Sequence, residues 1–242
     1  MSIYQELKGL KVKFLDGETS GDRAIEGEVF YNSAGPNISA HIAVGAWSAG
    51  SPTGTVRNQC FAGGGTQTAG LIAGGNAAPF TVNSEEFNGT SWVEGNNLNT
   101  ARENIINAMA GTQTAAILVG GEEEPGAGTL VETYDGTSWA ETNDVPAAIM
   151  NVTSLGTTTA CLSSTAGEAY TYDGSSWTAI ADSNVSKADR SGSGTTTAAL
   201  NWGGHPPVAN TEVWDGSTWT EVGDLNASVY GAGQGSSGAS MT

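Results

Sequence analysis

Basic residues are scarce in this chain: eight Lys and Arg stand against 25 Asp and Glu, for a formal net charge of −17. Binding to phosphate needs a basic patch, so neither nucleic acid nor an anionic membrane is an expected partner. Cysteine is scarcer still. Cys60 and Cys161 are too few for a disulfide framework and read as two free buried thiols of a cytosolic synthesis. Histidine is limited to His41 and His205. No stretch approaches the roughly 18–20 apolar residues of a membrane span. The segment from Met1 to Asp22 carries lysines but neither an apolar core nor a small-residue cleavage site, so no secretory signal is expected.

Glycine is abundant. Its 35 positions in 242 residues are about twice the usual share of roughly 7%. Such a chain is poor material for helices and suits many short strands joined by tight turns. Seven Trp, six Tyr and five Phe recur at regular places and can fill a core.

An internal repeat organises them. GTQTAGLIAGG begins at Gly65, GTQTAAILVGG at Gly111, GTTTACLSSTA at Gly156 and GTTTAALNWGG at Gly194. The starts are 46, 45 and 38 residues apart, a spacing that suits propeller blades of about 40–50 residues. Each copy is followed by an aromatic, a turn pair and a Trp five residues beyond the aromatic: Phe87 and Trp92, Tyr134 and Trp139, Tyr172 and Trp177, Trp214 and Trp219. The run from Thr114 to Val119 reads as an apolar strand closed by Gly120-Gly121. Val131–Trp139 reads as two strands around Asp135-Gly136, a pair that signals a type I′ hairpin with positive φ at both central residues. A further strand precedes each GTxTA. A unit of four short strands cannot bury both faces alone, so copies must stack, with the aromatics wedged between neighbouring sheets.

The segment from Arg102 to Trp139 resembles a kelch repeat: an Arg-led inner strand, a double glycine, then spaced Tyr and Trp. The resemblance covers about residues 40–242. The third copy departs most, with Ser163-Ser164-Thr165-Ala166 at the double-glycine position, and in the fourth Asp189-Arg190 is displaced toward the GTxTA. The resemblance implies an all-β, kelch-like β-propeller of about five four-stranded blades, spanning 36–242 behind an N-terminal arm of residues 1–35. The fifth blade is expected to be composite, closed by both termini, because Gly235–Ala239 aligns with GTQTA and Trp47 lies in phase with Trp92. The expected pairing is between Ser228–Ala239 and the Phe30–Trp47 region.

The arm holds four of the eight basic residues, Lys8, Lys11, Lys13 and Arg23. Where the arm ends, Gly27–Ile38 (GEVFYNSAGPNI) is similar to a linker in tailed-phage structural proteins that place kelch-like repeats after a short arm.

Catalytic chemistry finds little footing. A likeness to galactose oxidase-type propellers would imply copper on two histidines and a tyrosine pair, but His41 lies in the composite blade and His205 in the loop Gly203–Pro207. Sialidases need three arginines to grip a carboxylate. Arg57 and Arg102 occupy similar repeat positions, while the third and fourth copies have Ala or Val there. Their Asp-box is also one residue longer than the spacing here, so Asp135, Asp173 and Asp215 read as turn formers. GxSxG, HExxH, CxxC and P-loop motifs are all missing. Glu122–Glu124 reads as a solvated charge run. No catalytic residue, metal or cofactor is expected. Trp202 is not demanded by the repeat, and with the nearby His205 it forms the candidate binding site.

The sequence therefore points to a virion structural protein of a tailed phage, a head decoration or tail appendage made in the host cytoplasm. It would be multimeric in its assembly, anchored to other virion proteins through residues 1–35, and would display the propeller toward protein or host-surface glycan. A lectin-like carbohydrate-binding module is the alternative.

Overall fold

The short apolar runs and glycine-marked turns become strands and hairpins. The computed structural model describes residues 50–230, apart from 104–106 and 124–125, together with strands 13–15, 29–32, 37–40 and 234–235. Every regular element among them is a β-strand. Two compact units divide the chain, Met1–Ala49 and Gly50–Thr242. In the first, β1 (Lys13–Leu15) runs parallel to β2 (Val29–Asn32), which pairs antiparallel with β3 (Asn37–Ala40). β1 and β2 lie within residues 1–35 and β3 beyond them. His41 and Trp47 lie outside the described residues.

In the second unit each repeat is one antiparallel sheet. The first runs β4 (Phe61–Thr66), β5 (Ala69–Ala73), β6 (Ser84–Phe87) and β7 (Trp92–Glu94). The second runs β8 (Met109–Thr112), β9 (Ala115–Val119), β12 (Val131–Tyr134) and β13 (Trp139–Thr142), with a small hairpin of β10 (Glu122–Glu123) and β11 (Gly126–Ala127) between β9 and β12. The third runs β14 (Thr153–Thr157), β15 (Ala160–Thr165), β16 (Glu168–Tyr172) and β17 (Trp177–Ala179). The fourth runs β18 (Ser191–Gly194), β19 (Ala199–Trp202), β20 (Thr211–Trp214) and β21 (Trp219–Val222). First strands pack side by side, β4 on β8, β8 on β14 and β14 on β18. The result is a propeller-like arrangement of four sheets. A short strand, β22 (Gln234–Gly235), continues the series parallel to β18.

The repeat signature is turn chemistry. Gly111 and Thr112 end β8, and Thr112 pairs with Ala115, so Gln113-Thr114 is a two-residue turn. Gly111 has φ +107, and a Cβ there would fall 2.2 Å from the Ala115 carbonyl oxygen. Only glycine fits. The Asp-Gly turns differ from the expected two-residue type. Tyr134 pairs with Trp139, which leaves Asp135–Ser138 as a four-residue loop with positive φ at Gly136 but not at Asp135. The reason is the Asp side chain. Its Oδ1 accepts the backbone N–H groups of Thr137 and Ser138, both at 2.8 Å, and holds the loop from within. Asn88, Asp173 and Asp215 accept equivalent bonds in the other sheets.

The third copy lacks its double glycine because it lacks the loop. Thr165 pairs with Glu168, so Ala166-Gly167 closes β15 to β16 directly. That shortening accounts for the spacing of 38 between Gly156 and Gly194. The acidic run is corrected too: Glu122 and Glu123 form half-buried β10 and are not freely solvated.

The apolar core spans the first three sheets through Leu71, Met109, Ile117, Leu118, Val131 and Cys161, and a smaller cluster of Leu155, Leu162, Ala199, Trp214 and Trp219 joins the third and fourth. Polar bonds complete the inner seam. Asn107 Nδ2 donates to the Arg190 carbonyl (3.1 Å), Ser154 N donates to the Asn107 carbonyl (2.8 Å), and Thr153 Oγ1 donates to Arg190 O (2.5 Å). Three sheets are thereby tied at one point.

Beyond the fourth sheet the chain repeats an earlier connection. Val229 N donates to Val208 O and Val229 O accepts from Gly204 N (3.2 Å), as Ile149 N donates to Gly128 O and Ile149 O accepts from Gly121 N. Of Ser228–Ala239, expected to join the Phe30–Trp47 region, the described strand β22 pairs with β18, and the rest beyond Tyr230 lies outside the described residues.

Gly136→Val tests the loop geometry. A β-branched residue at φ +89, with its Cβ 3.2 Å from that of Thr114, should destabilise the protein by roughly 1–3 kcal/mol in chemical denaturation. Asp173→Ala should cost less. An unchanged midpoint for Gly136→Val would contradict the loop described here.

Candidate functional site

The groups most able to do chemistry are the arginines and carboxylates, and the fold has already committed them. Arg102 is buried just ahead of the second sheet. Its Nη1 donates to the carbonyls of Gly120 (3.0 Å) and Leu130 (2.7 Å), and its Nη2 to Glu132 Oε1 (2.6 Å). Glu132 also accepts from Asn99 N (2.8 Å). Burial pushes Arg102 below its ordinary pKa, and the Glu132 carboxylate opposes that shift. In the first sheet Arg57 pairs with Glu85, which accepts from Gly54 N and Thr55 N. Burial of Glu85 works against its charge, but those amides and Arg57 still hold the carboxyl below its ordinary range.

The fourth sheet repeats the arrangement from a shifted position. Arg190 lies 2.5 Å from Glu212, and Asn184 N donates to the same carboxylate (2.7 Å). The fourth copy thus keeps its arginine, whereas the repeat alignment had put Ala or Val in its place. A signal was available in the third strands, where Glu85, Glu132 and Glu212 each stand two residues before the closing aromatic. In the third sheet Tyr170 takes that place and donates to Glu168 (3.1 Å). Three buried guanidiniums, each paired inside its own sheet, cannot converge on one bound carboxylate.

The aromatics act at the seams, as the repeat suggests. Each pair packs within its sheet, the rings tilted by 31–43° with centroids 4.9–5.3 Å apart. The later ring reaches the preceding sheet: Trp139 Nε1 donates to Ser84 Oγ (3.4 Å), Trp177 Nε1 to Asn143 O (2.9 Å) and Trp219 Nε1 to Ala181 O (3.0 Å). Between the second and third sheets these contacts leave a groove of about 420 Å³ lined by Thr114, Thr133, Thr142, Tyr134 and Tyr172. The Tyr172 hydroxyl is already bonded to Thr142 across it (3.0 Å).

Trp202 and His205 occupy different settings. Trp202 ends β19 and is half-buried. Asn201 donates to Ser164 Oγ of the third sheet (3.0 Å), so alternation along the strand turns Trp202 to the opposite face. His205 is exposed beyond Gly203-Gly204, anchored by its N–H to Ala188 O (2.8 Å). Its ring stacks on Tyr230, with centroids 4.8 Å apart and planes at 20°. Tyr230 was missed in the sequence, although it offered a signal like that of Trp202: it is an aromatic where the matching connection has Met150. Asp189 stands next to Ala188 in the left-handed region (φ +53). Burial raises its carboxyl above the ordinary value, and the charge of His205 opposes that shift.

Among the described residues no cluster of three or more His, Cys, Asp or Glu could hold a metal ion. Cys60 and Cys161 are free, the first half-buried and the second fully so, and burial pushes the Cys161 thiol up to about 12. No helix among the described residues is long and apolar enough to cross a membrane.

No family model and no curated protein matches the chain. Solved structures do. The one titled "Structure of YjhT" is similar over 74% of this chain and 70% of that one, with a TM-score of 0.59 at 11% identity. The likeness concerns the fold alone and agrees with a propeller-like all-β architecture.

Two outcomes test these assignments. Arg102→Met leaves Glu132 buried and unpaired and should cost about 3–5 kcal/mol. Adding Glu132→Leu should recover part of that loss in a double-mutant cycle, and a fully additive double variant would refute the coupling. The hairpin carboxylates give the second. Backbone and hydroxyl donors hold Asp173 and Asp215 at about 2, below the ordinary 3.8. Their contribution to stability is complete above pH 3.8 and is lost as pH falls toward 2. Replacing both by Asn, the residue type already serving at position 88, should flatten the fall of Tm between about pH 4 and 2. A decline as steep as that of the parent would contradict the assignment.

Proposed function

We propose that this protein is a structural and display component of a tailed-phage virion, a head decoration or tail appendage. Residues 1–35 attach it to other virion proteins, and the propeller faces outward as a non-enzymatic interaction module. One observation carries the reading: among the described residues every arginine is committed to a buried ion pair, and the hairpin carboxylates are committed to their turns. The charged groups build a scaffold. The resemblance of the repeats to kelch proteins, and of Gly27–Ile38 to the phage linker, supports the same reading. In it the propeller closes with a fifth, composite blade from the two ends of the chain, and the chain is multimeric in its assembly, with no cofactor.

The half-exposed Tyr230 ring stacked on His205 favours a second reading, a lectin-like module whose exposed face binds carbohydrate. The two are compatible where display serves attachment to a host-surface glycan.

Deleting residues 1–35 separates anchor from display. The truncated protein loses β1 and β2 but should keep the cooperative unfolding of the four repeat sheets, yet be missing from purified particles by mass spectrometry. Incorporation of the truncated protein at the level of the full chain would refute the anchoring role.

A further inference from the structure

Repeated proteins reveal special sites where one copy carries what its siblings do not. At the connection from the fourth sheet to the segment that follows it, two such departures meet. In the other bridges after a double glycine, the position of His205 is held by Asn76 and Glu122. At Tyr230 the matching connection has Met150. Neither ring is demanded by the repeat, yet the two stack on each other at the surface. Tyr230 is 53% exposed, and no other aromatic is among the exposed large apolar residues described.

Backbone bonds anchor the two segments that carry the rings. His205 N donates to Ala188 O (2.8 Å), Gly204 N to Val229 O (3.2 Å) and Val229 N to Val208 O (3.1 Å). A platform held from both sides loses little conformational entropy when a ligand settles on it. Asp189 follows Ala188, the residue bridged to His205, and its carboxylate feels the imidazole electrostatically.

We propose that the His205–Tyr230 pair, with Asp189 at its edge, is a binding subsite for a neutral pyranose sugar. An aromatic ring takes the apolar C–H face of a pyranose, and imidazole and carboxylate exchange hydrogen bonds with its hydroxyls. The net charge of −17 selects against carboxylated and sulfated sugars by long-range repulsion. The proposal rests on the carbohydrate-binding reading above and not on residence in a particle.

The test uses the full chain on a printed array of neutral and sialylated glycans, followed by titration of the strongest neutral glycan. Neutral glycans should bind. Tyr230→Ala and His205→Ala should each weaken that binding at least tenfold with little change in Tm, and Asp189→Asn should weaken it less. Tyr230→Phe keeps the ring and should bind as the parent does, which separates loss of the platform from loss of folding. An array with no neutral-glycan signal overturns both the subsite and the carbohydrate reading. Neutral-glycan binding that survives Tyr230→Ala but is lost in Trp202→Ala overturns the subsite alone, and binding confined to sialylated glycans overturns its stated selectivity.

Discussion

A buried guanidinium needs a carboxylate to meet its charge and carbonyls for its Nη donors, and this requirement governs the geometry of three of the four sheets. Arg102 binds two carbonyls and Glu132 together, so one side chain fixes the end of β9, the approach to β12 and the third strand itself. Desolvation works against such a pair, and a hydrophobic replacement of the same volume can match or exceed its stability. Specificity is what it adds. An unpaired charge in the core is penalised heavily, so a sheet that slips its register pays at once.

The third sheet shows what happens without it. Tyr170 stands where the glutamate would be, the double glycine is gone, and a two-residue turn joins β15 to β16. With no long loop to pin, there is no arginine to pin it. Order comes there from Leu155 and Leu162 in the core and from the Ser154–Ser163 bond at 2.9 Å.

Much of this was legible in the sequence because turns are local. The Gly of GTxTA, the Asp-Gly pair and the two aromatics act over a few residues, and each was found where its pattern put it. The type of the Asp-Gly turn was not legible, since a four-residue loop held by an Asp side chain and a two-residue turn share the same letters. Arg190 was seen as displaced, but its equivalence to Arg57 and Arg102 was not, because the fold selects by position in space: it reaches Glu212 from a different place along the chain. Tyr230 escaped for a related reason. Its partner His205 belongs to another turn of the repeat, and pairing across a seam leaves no mark on spacing. Trp202 and His205 were read as one site from their closeness in sequence, yet the ring that stacks on His205 is Tyr230.

The direct turn at Ala166-Gly167 also breaks the rotational equivalence of the sheets. On the side where the second strand hands over to the third, the first, second and fourth sheets raise loops and the third does not. On that side the third sheet is therefore low where its neighbours are raised. Sheets that are near copies of one another in their strands are thus told apart at their rim, much as a notch on a wheel fixes which tooth comes first.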